Sequence, residues 1–215
     1  MPTLLHLDSS ADLITSRSRA ITKAFADAWL AGGDDRTVVY RALHREPLPH
    51  LSHADLHFPT HLRPAGSVVD PVQEALQNTL VAELLAADVL VIGVPLYNYS
   101  LPSTLKAWVD YIHLPSVTAP FGGDTSQPMR GRPAVLVSTR GGSYDHGTPT
   151  EFDDHAIPAL ELILGGALGM NVQTIVDTRT LSDRFGAPEA EVAKQHAEFD
   201  AAIASATSAG ALILP

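Results

Sequence analysis

The chain has 215 residues, 45% of them hydrophobic and 18% charged, enough apolar material for a substantial core, which excludes disorder as a global description. Acidic residues outnumber basic ones 24 to 14, for a formal charge of −10, and no run of Lys and Arg gathers the positive minority, so nucleic acid is not an expected partner. With no cysteine at all, disulfides, thiolate metal sites, iron–sulfur clusters and cysteine nucleophiles are excluded, and any redox chemistry requires a bound cofactor.

Residues Met1 to Ser10 have no basic segment ahead of a long apolar stretch and already carry Asp8, so they do not read as a signal peptide, and the mature chain is expected to begin there. Thr3 to Asp8 is a short apolar run ending in Ser9 and Ser10, the pattern of a strand entering a serine-rich loop. Ile21, Ala24, Phe25, Ala28 and Trp29 then repeat at helical spacing until Gly32 and Gly33 stop the helix. Arg36 to Leu43 has the β-branched and aromatic content of a second strand, and a right-handed crossover is expected between the two.

From Arg45 to Pro71 five prolines prevent any continuous element, so this is a long excursion rather than a domain boundary. A helix from Val72 to Ala86 leads into Asp88 to Val94, a continuous apolar run of the kind buried on both faces of a parallel sheet. The most apolar stretch, Leu84 to Pro95, is interrupted by Asp88 and falls well short of the roughly 20 residues of a membrane span, so a cytoplasmic protein with no membrane partner is expected. Pro102, Ser103 and Thr104 signal the next helix, with Leu105, Trp108, Val109 and Ile112 on one face, followed by a Gly/Pro-rich loop from Leu114 to Pro133. Ala134 to Thr139 is again a buried-type strand, a helix is expected over Asp154 to Leu168, and Val172 to Asp177 supplies a fifth strand. The last helix begins near Pro188, with Val192, His196, Phe199 and Ile203 on one side.

Five strands alternating with five helices predict a single α/β domain over 1–215: a doubly wound, three-layered parallel sheet in the flavodoxin-like order 2-1-3-4-5. Ligands in such sheets bind beyond the carboxyl ends of the strands, which directs attention to the loops after strands one, three and four. The first, SSADLITSRS, opens into a helix whose free N–H groups attract an anion, with Ser10, Ser16 and Ser18 as hydroxyl donors and Arg17 and Arg19 as its charges; a plain serine N-cap accounts for it equally. In the second, Tyr97 and Tyr99 flank Asn98, offering flat apolar surface with an amide between; core or interface packing is the competing account, and Lys106 and Asp110 one turn apart suit a surface pair. In the third, Gly141 and Gly142 let backbone N–H groups approach a ligand, with Thr139 or Arg140 beside them, unless the pair is an ordinary turn.

Taken in order, strand-SS, SRS at a helix start, PLYNYSLPSTLKAWVD and STRGGSY resemble the FMN-dependent NADH azoreductase and NAD(P)H:quinone oxidoreductase family over nearly the whole chain, the middle motif being the most specific. The resemblance implies a flavodoxin-like homodimer that binds FMN and uses NADH or NADPH to reduce quinones, and aromatic azo compounds, by two-electron ping-pong hydride transfer through flavin N5. It implies that Ser10, Ser16, Arg17 and Ser18 hold the phosphate. It implies that Leu96, Tyr97, Asn98 and Tyr99 line the isoalloxazine and that Thr139, Arg140, Gly141 and Gly142 meet its pyrimidine side, with no catalytic side chain and no metal. Leu96 stands where the family commonly has methionine and Thr139 where it commonly has serine.

Two other functions fit parts of the pattern. A flavodoxin-type electron carrier keeps the fold and the FMN but reacts little with NADH, and the extra loops of this chain speak against it. A hydrolase on an α/β sheet would need a Gly-x-Ser-x-Gly elbow, which is absent. Neither a dinucleotide-binding Gly-x-Gly-x-x-Gly nor a phosphate-binding loop of the Gly-x-x-x-x-Gly-Lys type is present. His53, His57 and His61 are spaced four apart, but Pro59 breaks the helical register, so a solvated loop is expected there rather than a metal site. His146 and Tyr144 lie near the expected ligand loops and are candidates for substrate contact.

Overall fold

The computed structural model describes residues 1–213; residues 214 and 215 of the expected 1–215 span lie outside them. Five strands, β1 (Thr3–Asp8), β2 (Thr37–Ala42), β3 (Val89–Pro95), β4 (Pro133–Thr139) and β5 (Asn171–Asp177), form one sheet in the order β2-β1-β3-β4-β5. Every pairing is parallel, as the doubly wound expectation requires. The strand limits differ from those read from the sequence by a residue at an end, where fraying makes boundaries soft.

Side-chain alternation along the strands divides the core into two layers. On one face Leu5, Leu7, Leu90, Ile92, Val94 and Leu136 pack against α2 (Pro71–Ala86), α3 (Ser103–Ile112) and α4 (Ile157–Leu160). On the other, Leu4, Val89, Val91, Val135 and Val137 pack against α1 (Arg17–Ala31) and α5 (Glu189–Leu212). Each such side chain removed from water contributes about 1.5–3 kcal/mol, so the central strands β1, β3 and β4 anchor the site that grows from their ends. No helix among the described residues is long and apolar enough to cross a membrane.

Three elements depart from the expected ones. The helix expected over 154–168 is a short α-helical start, α4, that widens at once into a π-helical stretch, Glu161–Ala167; no residue pattern distinguishes that winding from an ordinary helix. The proline-rich excursion contains two short 3₁₀ turns, Ala54–His57 and Thr60–Leu62, on either side of Pro59, and the His53 ring caps the first by accepting from the Asp55 N–H. In α5 the inward stripe is Gln195, Ala202, Ala206 and Gly210, with Phe199 and Ile203 half-buried and His196 exposed. The expected Phe199 and Ile203 pack beside this stripe, and the small residues Ala202, Ala206 and Gly210 are the most buried because α5 lies directly on α1.

That contact is tight enough to fix one residue type. A Cβ added at Gly210 would sit 2.3 Å from the Phe25 carbonyl oxygen and 3.2 Å from Ala28 Cβ. Alanine gains about 1 kcal/mol over glycine in a helix interior, whereas forcing packed backbones apart costs about 1–3 kcal/mol. Gly210→Ala is expected to lower the urea midpoint of unfolding without changing the slope, despite its better helix propensity, and a raised midpoint would show that the two helices separate freely.

Candidate active site

The site is built on the first turn of α1. Ser16 caps it, its Oγ accepting from the Arg19 N–H at 3.3 Å and lying 3.1 Å from the buried Ser18 Oγ. The Arg17 and Ser18 N–H groups have no acceptor among the described residues, as expected of first-turn donors, and they carry the positive end of the helix dipole. Asp12 closes the preceding loop by accepting from the Ile14 and Thr15 N–H groups at 2.9 and 2.8 Å.

Two arginines hold that turn over the end of the sheet. Arg19 donates to the Ser10 and Asp12 carbonyls at 2.9 and 3.2 Å and lies 3.4 Å from Asp8 at the end of β1. Burial alone would raise the Asp8 pKa. The His6 imidazole 3.5 Å away and the hydroxyls of Thr22 and Tyr40, donating at 2.8 and 2.9 Å, hold it instead below the usual carboxylate range. The Arg17 guanidinium forms a bidentate pair with Asp177 at the end of β5, at 2.7 and 2.9 Å, donates to the Gln195 carbonyl at 2.8 Å and stacks on Phe199. Asp177 is fully buried, and that burial pushes its pKa up even though Arg17 opposes the shift. The Arg17 charge is thus committed to Asp177, and its backbone N–H is the group left without an acceptor.

After β3 the chain turns sharply. Tyr97 and Ser100 exchange both backbone hydrogen bonds at 3.0 Å, and Asn98 and Tyr99 between them have φ of 48° and 67°. Asparagine tolerates this region, whereas tyrosine pays about 1–2 kcal/mol for it. The turn aims the Tyr97 ring back at the first loop, where its hydroxyl accepts from the Ala11 N–H at 3.1 Å and lies 3.3 Å from Ser10 Oγ. Farther along α3, Lys106 and Asp110 pair at 2.5 Å, on the surface and apart from the cleft.

The loop after β4 leans on the loop after β5. The carbonyls of Arg140, Gly141 and Gly142 accept from the N–H groups of Thr180, Leu181 and Arg179 at 3.0, 3.2 and 3.1 Å. In a trans peptide the N–H points opposite to the C=O of the same unit, so the Gly141 and Gly142 N–H groups face away from that loop as free donors. A Cβ at Gly141 would come within 2.7 Å of Leu181 Cδ1, the end of a flexible side chain that can shift. Arg140 turns its side chain to Asp154, at 2.6 Å, and its backbone remains at the site. Tyr144 lies 5.7 Å from the Arg140 guanidinium, and His146 pairs with Glu151 on the surface.

These loops enclose a cavity of about 420 Å³. Of the expected residues, Ser10, Ser16, Arg17, Leu96, Tyr97, Thr139 and Gly141 line it. Ser18 lies buried behind Ser16, Asn98 and Tyr99 occupy the exposed turn at its side, Arg140 is directed to Asp154, and Gly142 adjoins Gly141. Asp12, Thr15 and Pro95 line the cavity without having been singled out, and so do Thr180, Leu181 and Arg184 from the β5–α5 loop. The rule that ligands bind beyond strand ends covers β5 as well as β1, β3 and β4, and would have found the last three.

A sequence model of the flavodoxin-like fold family matches residues 2–203. The chain belongs to the flavodoxin-like fold family. This flavodoxin-like chain is 54% identical over 208 residues to an FMN-dependent NADH:quinone oxidoreductase of Kineococcus radiotolerans, covering 96% of this chain and 97% of that one. A protein of the same name from Streptomyces avermitilis is 39% identical over 211 residues, covering 94% of each chain. Among solved structures, an azoreductase from Bacillus anthracis superposes with a TM-score of 0.81 at 20% identity, over 99% of this chain and 100% of that one. An FMN-dependent NADH-azoreductase of the same organism, in complex with FMN, gives 0.78 at 17% identity, over 98% and 100% of the two chains.

Because Asp177 is buried and Arg17 is its charge partner, Arg17→Ala is expected to destabilise this flavodoxin-like domain by about 3 kcal/mol at neutral pH. The unpartnered carboxyl then titrates higher in the folded state than in the unfolded one, so the deficit is full above its folded pKa and shrinks as pH falls through it. Denaturant titrations at pH 7 and pH 5 check this, and an equal deficit at both pH values contradicts it.

Proposed function

We propose that the protein is an FMN-dependent NAD(P)H oxidoreductase of one domain that reduces quinones, and aromatic azo compounds, in two-electron steps. The observation that carries this is the convergence of unpaired N–H donors from the β1 and β4 loops and the Leu96 and Tyr97 side chains of the β3 loop on one cleft. It occurs in a chain 54% identical along nearly its whole length to an FMN-dependent NADH:quinone oxidoreductase.

The residues present fit FMN. The Arg17 and Ser18 N–H groups with the Ser10 and Ser16 hydroxyls form a neutral donor set suited to a phosphate monoester. Leu96 and Tyr97 supply apolar walls, and Asn98, on the turn completed by Tyr99, supplies an amide for the polar edge of a ring. Thr139, the Arg140 backbone and the Gly141 and Gly142 N–H groups complete that edge, where backbone donors stabilise developing negative charge. When bound, FMN supplies hydride transfer at N5, from the nicotinamide to the acceptor. The protein binds, orients and polarises, and no side chain acts as a nucleophile.

The half-exposed Tyr97 and the exposed Tyr99 and Phe152 form an apolar rim, with Tyr99 held beside the 143–155 loop by the His155 N–H. A rim of this kind supports the homodimer, a second copy supplying the missing wall of the cleft. The cytoplasm, where reduced nicotinamide is regenerated, is the proposed compartment.

The test is the visible spectrum of the protein after adding FMN, removing the excess and adding NADH anaerobically. Retained colour that bleaches and returns with a quinone is the expected result. Flavin that ignores NADH supports a carrier, and no retained flavin overturns the proposal. One open cleft serving donor and acceptor in turn also gives parallel double-reciprocal lines at several NADH concentrations, and intersecting lines contradict a shared place.

A further inference from the structure

Five arginines lie around the cleft, and four are matched to carboxylates: Arg17 to Asp177, Arg19 to Asp8, Arg140 to Asp154, and Arg179 to Asp145, Glu191 and Glu198. The fifth, Arg184, lines the same cavity as Ser16 and Arg17, and its guanidinium has no hydrogen bond or ion pair among the described residues. The backbone that carries it is fixed. The Asp183 N–H donates to Gln195 Oε1 at 3.1 Å, the Phe185 N–H to the Leu181 carbonyl at 3.1 Å and the Gly186 N–H to the Asp183 carbonyl at 3.1 Å. Gln195 also accepts from Arg17 through its carbonyl, so one residue of α5 ties the Arg184 loop to the first turn of α1.

Charge at the cavity wall points the same way. Arg17 is neutralised by Asp177, and Asp12 places a further carboxylate on the wall that accepts from N–H and O–H donors, its cationic neighbour Arg19 being shared with Asp8. Without Arg184 these groups leave the phosphate end net negative, and a dianion placed there would be repelled. We infer that Arg184, and not the Arg17 guanidinium, is the cation that meets the FMN phosphate. The inference rests on the FMN-binding function proposed above. A charged donor added to the neutral cradle favours a phosphorylated flavin over one that lacks the phosphate.

The pyrophosphate of the nicotinamide donor carries the same chemistry, so the experiment separates the two sources. Full-length wild type, Arg184→Ala and Arg184→Lys, each stripped of flavin, are titrated with FMN and with riboflavin by quenching of flavin fluorescence. The expected result is FMN binding weakened about tenfold in Arg184→Ala at low ionic strength, with a smaller effect at high salt. Riboflavin binding stays unchanged, which also reports an intact fold, and Arg184→Lys recovers part of the loss. Equal FMN dissociation constants for wild type and Arg184→Ala overturn the inference, as does an equal weakening of riboflavin. A change confined to KM for NADH in the FMN-loaded enzyme overturns it in favour of the donor pyrophosphate. A wild type that holds no FMN overturns the proposed function itself, and this inference with it.

Discussion

Two buried carboxylates at opposite sides of the sheet, Asp8 ending β1 and Asp177 ending β5, are each met by an arginine from the start of α1, Arg19 and Arg17. Burying an unpaired charge is costly, so Asp177 requires Arg17, Asp8 is held by His6, Thr22 and Tyr40 with Arg19 beside them, and the two arginine contacts fix where α1 begins. The strands between them, β3 and β4, end beneath that helix terminus. Every other feature of the cleft is placed relative to this clamp: the free first-turn N–H groups, the Tyr97 turn that reaches the first loop and the glycines whose carbonyls are tied to the β5–α5 loop.

The same clamp explains why α1 and α5 are in such close contact. Gln195 of α5 accepts from Arg17, and toward the other end of the helix Gly210 admits the Phe25 carbonyl. Small residues along the inner face of α5 let two backbones approach, and that approach carries the β5–α5 loop to the mouth of the cavity. Structural glycine and alanine in α5 thereby decide which loop residues reach the site, although none of them lines it.

Polar satisfaction in the cleft is uneven, and the pattern separates scaffold from working groups. The Arg19, Arg140 and Arg179 guanidinium groups are each paired with carboxylates, whereas the Arg17, Ser18, Gly141 and Gly142 N–H groups are left without acceptors. Paired groups set geometry, and donors left without acceptors beside a cavity remain available to a ligand. Tyr99, a bulky residue held at φ 67°, is strained in the same turn, and strain of this kind persists where surrounding structure imposes it.

Much of this was legible in the sequence. Continuous apolar runs gave β3 and β4, the 3.6-residue repeat of Ile21, Phe25 and Trp29 gave α1, and SRS, YNY and RGG lay in three of the four strand-end loops that build the cleft. These were readable because periodicity and turn chemistry are local. The destination of a long polar side chain is not local. Whether the Arg17 or the Arg184 charge is left free at the cavity, and whether Arg140 turns to Asp154, depends on partners as many as 178 positions away, as for Arg17 and Gln195. The inward face of α5 and the π-helical continuation of α4 likewise depend on what packs against them. The sequence alone determined the order of elements and the location of the loops, because hydrophobic burial and backbone conformation follow from neighbouring residues. Only the tertiary structure decided which charges are neutralised and which remain free, because that depends on pairing between segments that meet only in the fold.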